Sequence, residues 1–260
     1  VSGEPVIIVD GVAQRFGNNL IFRDVSFRVL TGEVFVILGG SGCGKSTLMK
    51  QLIGLLKPSA GRIAIFGDAI TGPGGDEALR DVQRRIGVMF QSGALFGSMT
   101  LLENVMLPLE MFTDLPPEGR EAVARVKLGL VGLGDAAALM PAEISGGMAR
   151  RAGIARAMAL DPPLLMLDEP SAGLDPITSA GLDRLILDLR QDLGATFVVV
   201  THELASILAI ADRCIMLDRA AYPDGGGMIA EGEPRVLRDT STHPTVRAFF
   251  RRELPAAATA

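Results

Sequence analysis

Cysteine is scarce in this sequence. Its 260 residues contain only Cys43 and Cys214. Two cysteines build no disulfide framework and no cluster of metal ligands, so a reducing cytosol is the expected compartment. Positive charge is not in excess either. The formal net charge is -5, which weighs against nucleic acid as a partner, since phosphate-backbone binding needs a basic face. Long apolar runs are missing. None reaches the roughly 18 residues that a bilayer span requires, and "FVVVT" and "LLMLD" have the length of buried strands. The opening "VSGEPVIIVD" has no basic region and no long apolar stretch, so it does not read as a signal peptide. There is no internal repeat. The chain therefore reads as a soluble globular protein, and its positive mean hydropathy suits a life bound to partners.

What is present is an alternation of strands and helices. The first third carries short apolar runs, "VIIVD", "VSFRV", "EVFVIL", "RIAIF" and "RIGVMF", that predict strands. One helix interrupts them, predicted from Gly44 through about Leu56 and ending near Lys57-Pro58. From Gln91 to about Leu160 the apolar spacing turns helical. After Pro162-Pro163, "LLMLD", "TFVVVT" and "RCIMLD" predict strands again, with helices at 177–193 and 203–211 between them. That pattern is an α/β chain with a βαβ core and a helical insert.

Chemistry-bearing residues stand at the ends of the predicted strands. "GGSGCGKST" (39–47) follows "VFVIL" and opens a helix, the context that a phosphate-binding loop requires. Gly39, Gly40, Ser41, Gly42, Cys43 and Gly44 would turn backbone N–H groups onto phosphate. Lys45 would reach the β- and γ-phosphates, the Ser46 hydroxyl would ligate Mg²⁺, and Thr47 completes the loop. The Cys43 side chain reads as a small filler and not as a nucleophile. "LLMLDEP" is a buried strand ending in two carboxylates. Asp168 is expected to hold Mg²⁺ through water, and Glu169 to orient and polarise an attacking water. His202, one of two histidines, ends "TFVVVTH" and could sense a γ-phosphate. Gln91 leaves another strand end, where a neutral amide can touch Mg²⁺ or water. Phe16 could stack on adenine or pack in the core; both readings stay open.

Together these residues resemble the ATP-binding cassette (ABC) ATPases over about residues 6–235. Phe16 matches the adenine-stacking position, 39–47 the Walker A loop, and Gln91 the Q-loop. "ISGGM" (144–148) matches the signature, 164–169 Walker B, "SAGLD" (171–175) the D-loop, and His202 the switch histidine. The resemblance implies a P-loop NTPase fold with a RecA-like core, an antiparallel β subdomain and a helical insert. It implies ATP and Mg²⁺ as cofactors, and a head-to-tail dimer. In that dimer Ser145, Gly146 and Gly147 of one copy cap the ATP held by the Walker A loop of the other, and Asp175 of the D-loop joins the site. The family usually has Gln where this chain has Met148; since the Ser and Gly groups make the phosphate contact, activity should survive.

Three local spellings, "FQSGALFGSMTLLENVMLPL", "SGGMARRAGIARA" and "DEPSAGLDPITS", look like the cassettes of MCE-type lipid transporters, especially the Mla phospholipid-trafficking ATPases. That likeness implies two copies of this chain beneath two copies of a membrane permease, at the cytoplasmic face of an inner membrane. An MCE-domain protein, a STAS-domain protein and a phospholipid substrate would complete the assembly. A cassette for another solute, a soluble non-transport ABC protein and a non-catalytic regulator are the rival readings. The boundaries expected are 1–235 for the ATPase domain, with a helical subdomain at about 92–160, and 236–260 for a C-terminal amphipathic helix and tail. In "HPTVRAFFRREL" (243–254), Val246, Phe249, Phe250 and Leu254 share one side, with Arg247, Arg251 and Arg252 nearby. That helix has three possible seats: its own domain, a membrane surface, or, by the resemblance, the second subunit.

Overall fold

A computed structural model describes residues 3–252. The chain starts with two long strands, β1 (Pro5–Phe16) and β2 (Asn19–Leu30), which form an antiparallel hairpin. β3 (Val34–Gly39) follows and is buried throughout. Its residues alternate between two cores, as the two-residue period of a strand demands. Val34, Val36 and Leu38 face the core beneath the helical insert, while Phe35 and Ile37 face the core beneath the β1–β2 hairpin. Helix α1 (Lys45–Leu52) leaves the loop after β3. It ends earlier than the sequence pattern predicts, because Gly54 adopts φ 76 and the Leu55 and Leu56 amides fold back onto the Lys50 carbonyl oxygen. A left-handed glycine past the last turn is the usual helix stop.

β4 (Ala60–Ile65) and β5 (Asp68–Ala69) extend the antiparallel region beyond β1. A short helix, α2 (Gly75–Gln83), leads into β6 (Ile86–Met89). The helical insert then comprises α3 (Leu101–Phe112), α4 (Pro117–Leu130) and α5 (Gly146–Ala157). Thr100 and Glu103 start α3 as a reciprocal capping box. Asn104 is fully buried; its side chain accepts from the Phe96 amide and donates to the carbonyl oxygens of Phe96, Met99 and Thr100, which stitches the preceding loop to the helix. Lys127 of α4 is buried and pairs with Asp161, which fastens the insert to the loop before the next strand.

The rest alternates strictly: β7 (Leu164–Asp168), α6 (Pro176–Leu193), β8 (Thr196–Val200), α7 (Leu204–Ile210) and β9 (Arg213–Tyr222). β10 (Gly225–Gly232) turns back antiparallel to β9. The full sheet runs β5-β4-β1-β2-β10-β9-β3-β8-β7-β6. Within it β9, β3, β8, β7 and β6 are all parallel, so their carboxyl ends share one edge. In open α/β sheets that edge is where ligands bind.

Two short helices close the described chain, α8 (Pro234–Thr240) and α9 (Pro244–Arg251). Val246 and Phe250 of α9 join the core beneath the helical insert, so packing continues past residue 235. Burying each such side chain is worth about 1.5–3 kcal/mol. That favours α9 on its own domain over the membrane surface. Leu254 and the tail "LPAAATA" lie outside the described residues. Among those described, no helix is long and apolar enough to cross a membrane.

Candidate functional site

Four strand ends meet along the parallel edge. The ladder sets Ile37 of β3 beside Val200 of β8, Val200 beside Asp168 of β7, and Leu167 beside Met89 of β6. One or two residues further on come Gly39, His202, Glu169 and Gln91. Residues far apart in sequence are thus brought to one rim by register alone. The ladder even extends beyond the strands: the Glu169 amide donates to the Val200 carbonyl oxygen (2.8 Å), and the Thr201 amide to that of Ile37 (3.2 Å).

The loop 39–47 wraps the Lys45 side chain. Its ammonium is buried and donates to the carbonyl oxygens of Gly39 (2.9 Å) and Gly40 (3.1 Å). Gly44 sits at φ 100 as the N-cap of α1, with no side chain capping that helix. A Cβ there would lie 2.6 Å from the Phe22 ring, so only glycine fits. The first turn of α1 therefore presents uncapped N–H groups with a lysine among them, the arrangement that holds phosphate. Gly40, Ser41, Gly42 and Ser46 are exposed, and Thr47 is half-buried. The Cys43 thiol is buried, and burial pushes its pKa up, which suits a filler and not a nucleophile.

Both carboxylates at the end of β7 are constrained. Glu169 takes φ 49, a left-handed conformation rare for a residue with a Cβ. That conformation points the side chain at His202, whose Nδ1 lies 2.9 Å from Glu169 Oε1. Nδ1 lies equally close to Glu169 Oε2 (2.9 Å), whereas Asp168 Oδ1 is buried without a hydrogen-bond donor. Burial, and then the neighbouring Glu169 charge, raise the Asp168 pKa, while Lys45 and Lys50 pull it down. An undonated buried carboxylate oxygen beside a lysine, with the Ser46 hydroxyl on the adjacent helix, fits a hard cation. Among the described residues no three His, Cys, Asp or Glu side chains form a closed metal cage. A hard cation such as Mg²⁺, if held here, would take most of its ligands from phosphate and water.

The structure does not bring every candidate to this rim. Phe16 ends β1 at the hairpin turn, opposite Asn19, and is 50% exposed; it is not a core residue. Ser145 caps α5, accepting from the Met148 amide at 3.2 Å. Ser145 and Gly146 are exposed, and Gly147 is buried against Thr178. Asp175 caps α6, accepting from the Ile177 and Thr178 amides (both 3.0 Å) and from the Thr178 hydroxyl (2.5 Å). Those bonds, the Thr178 hydroxyl first, lower its pKa. The starts of α5 and α6 thus adjoin each other, and α5 packs on α3, α4, α6 and β6.

Two arginines escape sequence reasoning. Arg150 is buried and donates to the Ala172 carbonyl oxygen (2.9 Å), which holds the 171–175 loop. Arg156 donates to the carbonyl oxygens of Ala94 (2.9 Å) and Gly93 (3.0 Å), which holds the turn after Gln91. Their partners are main-chain oxygens, which no residue type announces.

Comparison with known proteins follows the same lines. A family described as "ABC transporter" matches residues 22–172. The chain is 42% identical over 244 residues to a Mycobacterium tuberculosis protein named "Probable ribonucleotide transport ATP-binding protein mkl", covering 94% of this chain and 66% of that one. It thus spans just under two thirds of that relative's length. It is also 42% identical over 235 residues to the Escherichia coli "Intermembrane phospholipid transport system ATP-binding protein MlaF", covering 90% of this chain and 84% of that one. Among solved structures, the dimeric ATP-binding cassette MJ0796, in a post-hydrolysis state bound to ADP and Pi, aligns with a TM-score of 0.76 and 31% identity. That match covers 87% of this chain and 98% of the other.

Proposed function

The chain belongs to the ABC transporter family, and we propose that it is the ATP-hydrolysing subunit of a transporter that moves phospholipid between membranes. The observation that carries the catalytic half is the Glu169–His202 contact at the rim where the loop 39–47, Asp168 and Gln91 converge. Bound Mg²⁺ neutralises and orients the phosphates. The chain's residues do the rest. Lys45 and the first-turn amides of α1 hold the β- and γ-phosphates, and Phe16 stacks on adenine. Glu169 orients and polarises the attacking water, with His202 fixing its carboxylate through Nδ1. Asp168, Ser46 and Gln91 would hold the cation and its water.

A second copy completes the site. Ser145, Gly146 and Gly147 supply donors to the γ-phosphate held by the other copy, with Asp175 fixing the adjacent start of α6. The likeness to a dimeric cassette supports this arrangement. A membrane permease would dock in the groove lined by Gln83, Ile86, Val88, Pro108, Phe112 and Arg156, a mixed polar and apolar cleft between the sheet edge and the helical insert. An MCE-domain protein and a STAS-domain protein are the further partners of this reading. The place of work is the cytoplasmic face of the inner membrane.

The name of the mycobacterial relative favours a second reading, a ribonucleotide cargo. Intact-complex mass spectrometry from detergent-solubilised native membranes separates the two. The phospholipid reading expects two copies of this chain, a permease, an MCE-domain protein and bound glycerophospholipid. Purification with a permease that carries a nucleotide and no lipid would overturn it.

A further inference from the structure

Arg156 lies about three turns along α5 from Ser145. Its guanidinium grips two successive carbonyl oxygens, those of Gly93 and Ala94, and lies 5.8 Å from the Phe96 ring centroid. No carboxylate pairs with it among the described residues. Burial lowers its pKa. A half-buried cation set against neutral oxygens is costly unless those bonds fix something.

What they fix is the turn that carries Gln91. Gly93 and Ala94 are both left-handed, at φ 77 and φ 47, so their carbonyls turn inward to Arg156. The turn also sits directly on the helix backbone. A Cβ on Gly93 would lie 2.5 Å from the Ala149 carbonyl oxygen, and one on Gly153 would lie 2.9 Å from the Gly93 Cα. A planar fork suits two adjacent acceptors, and a lysine ammonium does not reproduce it. The same side chain lines the groove beside Pro108 and Phe112.

We infer that Arg156 is a positioning residue: it locks the Gln91 turn to α5, so that Gln91 at the phosphate rim and Ser145 at the helix start move as one body. This rests on the ATPase reading above. It goes beyond it by naming the side chain through which the groove and the helix start both reach Gln91. A segment seated in the groove touches the same guanidinium that holds the turn.

The test is a double-mutant cycle on the full-length chain with Mg-ATP, following kcat, KM and the half-activating Mg²⁺ concentration. Arg156→Gln should lower kcat about tenfold or more and raise the Mg²⁺ requirement. ATP affinity without Mg²⁺ should hold within about twofold. Gln91→Ala should do the same, and the double variant should be no worse than Gln91→Ala alone. Arg156→Lys should recover only part of the loss. Multiplying losses in the double variant, an unchanged kcat in either single variant, or full rescue by lysine would overturn the inference. If Arg156→Gln does not fold, Gly93→Ala displaces the same turn with the guanidinium left intact. It must then show the same loss and the same non-additivity with Gln91→Ala, and multiplying losses there overturn the inference equally. A wild-type chain without turnover would overturn the ATPase reading and this inference together. Normal wild-type turnover with multiplying losses would overturn this inference alone.

Discussion

The starts of α1 and α5 are both glycine-rich, and they are built in opposite ways. At α1 no side chain caps the helix, Gly44 is left-handed, and a buried lysine follows at once. Three other strand ends bring Asp168, Glu169, His202 and Gln91 to the same rim. At α5 a serine already caps the helix, the first glycine is exposed, and the loop beside it ends in Asp175, whose carboxylate is engaged in capping α6. The first is a phosphate cradle with its chemistry attached. The second offers a hydroxyl and helix-start donors without a lysine or a free carboxylate of its own. Within one chain it is half a site, and the head-to-tail dimer proposed above would give it an object.

The largest expected effect tests the complete half. Glu169→Gln keeps shape and removes the group proposed to polarise water, so turnover should fall about 10²–10⁴-fold, or roughly 3–5 kcal/mol of barrier. ATP should still bind and accumulate in a closed dimer. Phosphate release together with size-exclusion chromatography in Mg-ATP reads both. Wild-type turnover in this variant would strip the rim at α1 of its catalytic role and erase the contrast with α5.

A smaller effect sharpens the contrast by pH. The Asp168 pKa is raised from 3.8 by burial, so its ionised form is disfavoured in the folded chain. As pH falls through that raised value, protonation removes the penalty and the nucleotide-free chain gains stability relative to its unfolded state. The gain is complete below 3.8. The carboxylate is lost as a cation ligand over the same window, so the half-activating Mg²⁺ concentration should rise. Asp168→Asn should abolish both trends. Thermal melting without nucleotide and Mg²⁺ titration of ATPase activity, each across pH, follow them. The donors at α5 do not titrate, so Ser145→Arg should keep the melting trend, which needs no turnover.

The difference between the two starts was partly legible in the sequence, and the reason is physical. β3, β7 and β8 are continuous apolar runs because both their faces are buried. The loop and the carboxylates that follow such runs could be placed on one rim without coordinates. β10 was not legible. It opens with three glycines and is held by its pairing with β9. α2 and α8 were also missed, being short and largely exposed. The early end of α1 depends on one left-handed glycine, Gly54. Arg150 and Arg156 read as part of an arginine-studded helix, while their roles lie in which main-chain oxygens they meet. The seat of α9 followed from burial of Val246 and Phe250, which the amphipathic pattern alone left open.

The most direct measurement of the central claim, that the α5 start serves the partner's phosphate, uses heterodimers isolated by two different affinity tags. One pairs a Ser145→Arg chain with a Lys45→Ala chain. The other pairs a Ser145→Arg, Lys45→Ala double variant with a wild-type chain. If α5 acts across the interface, the first heterodimer retains one site with both good halves, and the second retains none. The account predicts ATP hydrolysis by the first and loss of it in the second. Hydrolysis by the second and none by the first would mean that Ser145 serves its own subunit, and would contradict the account.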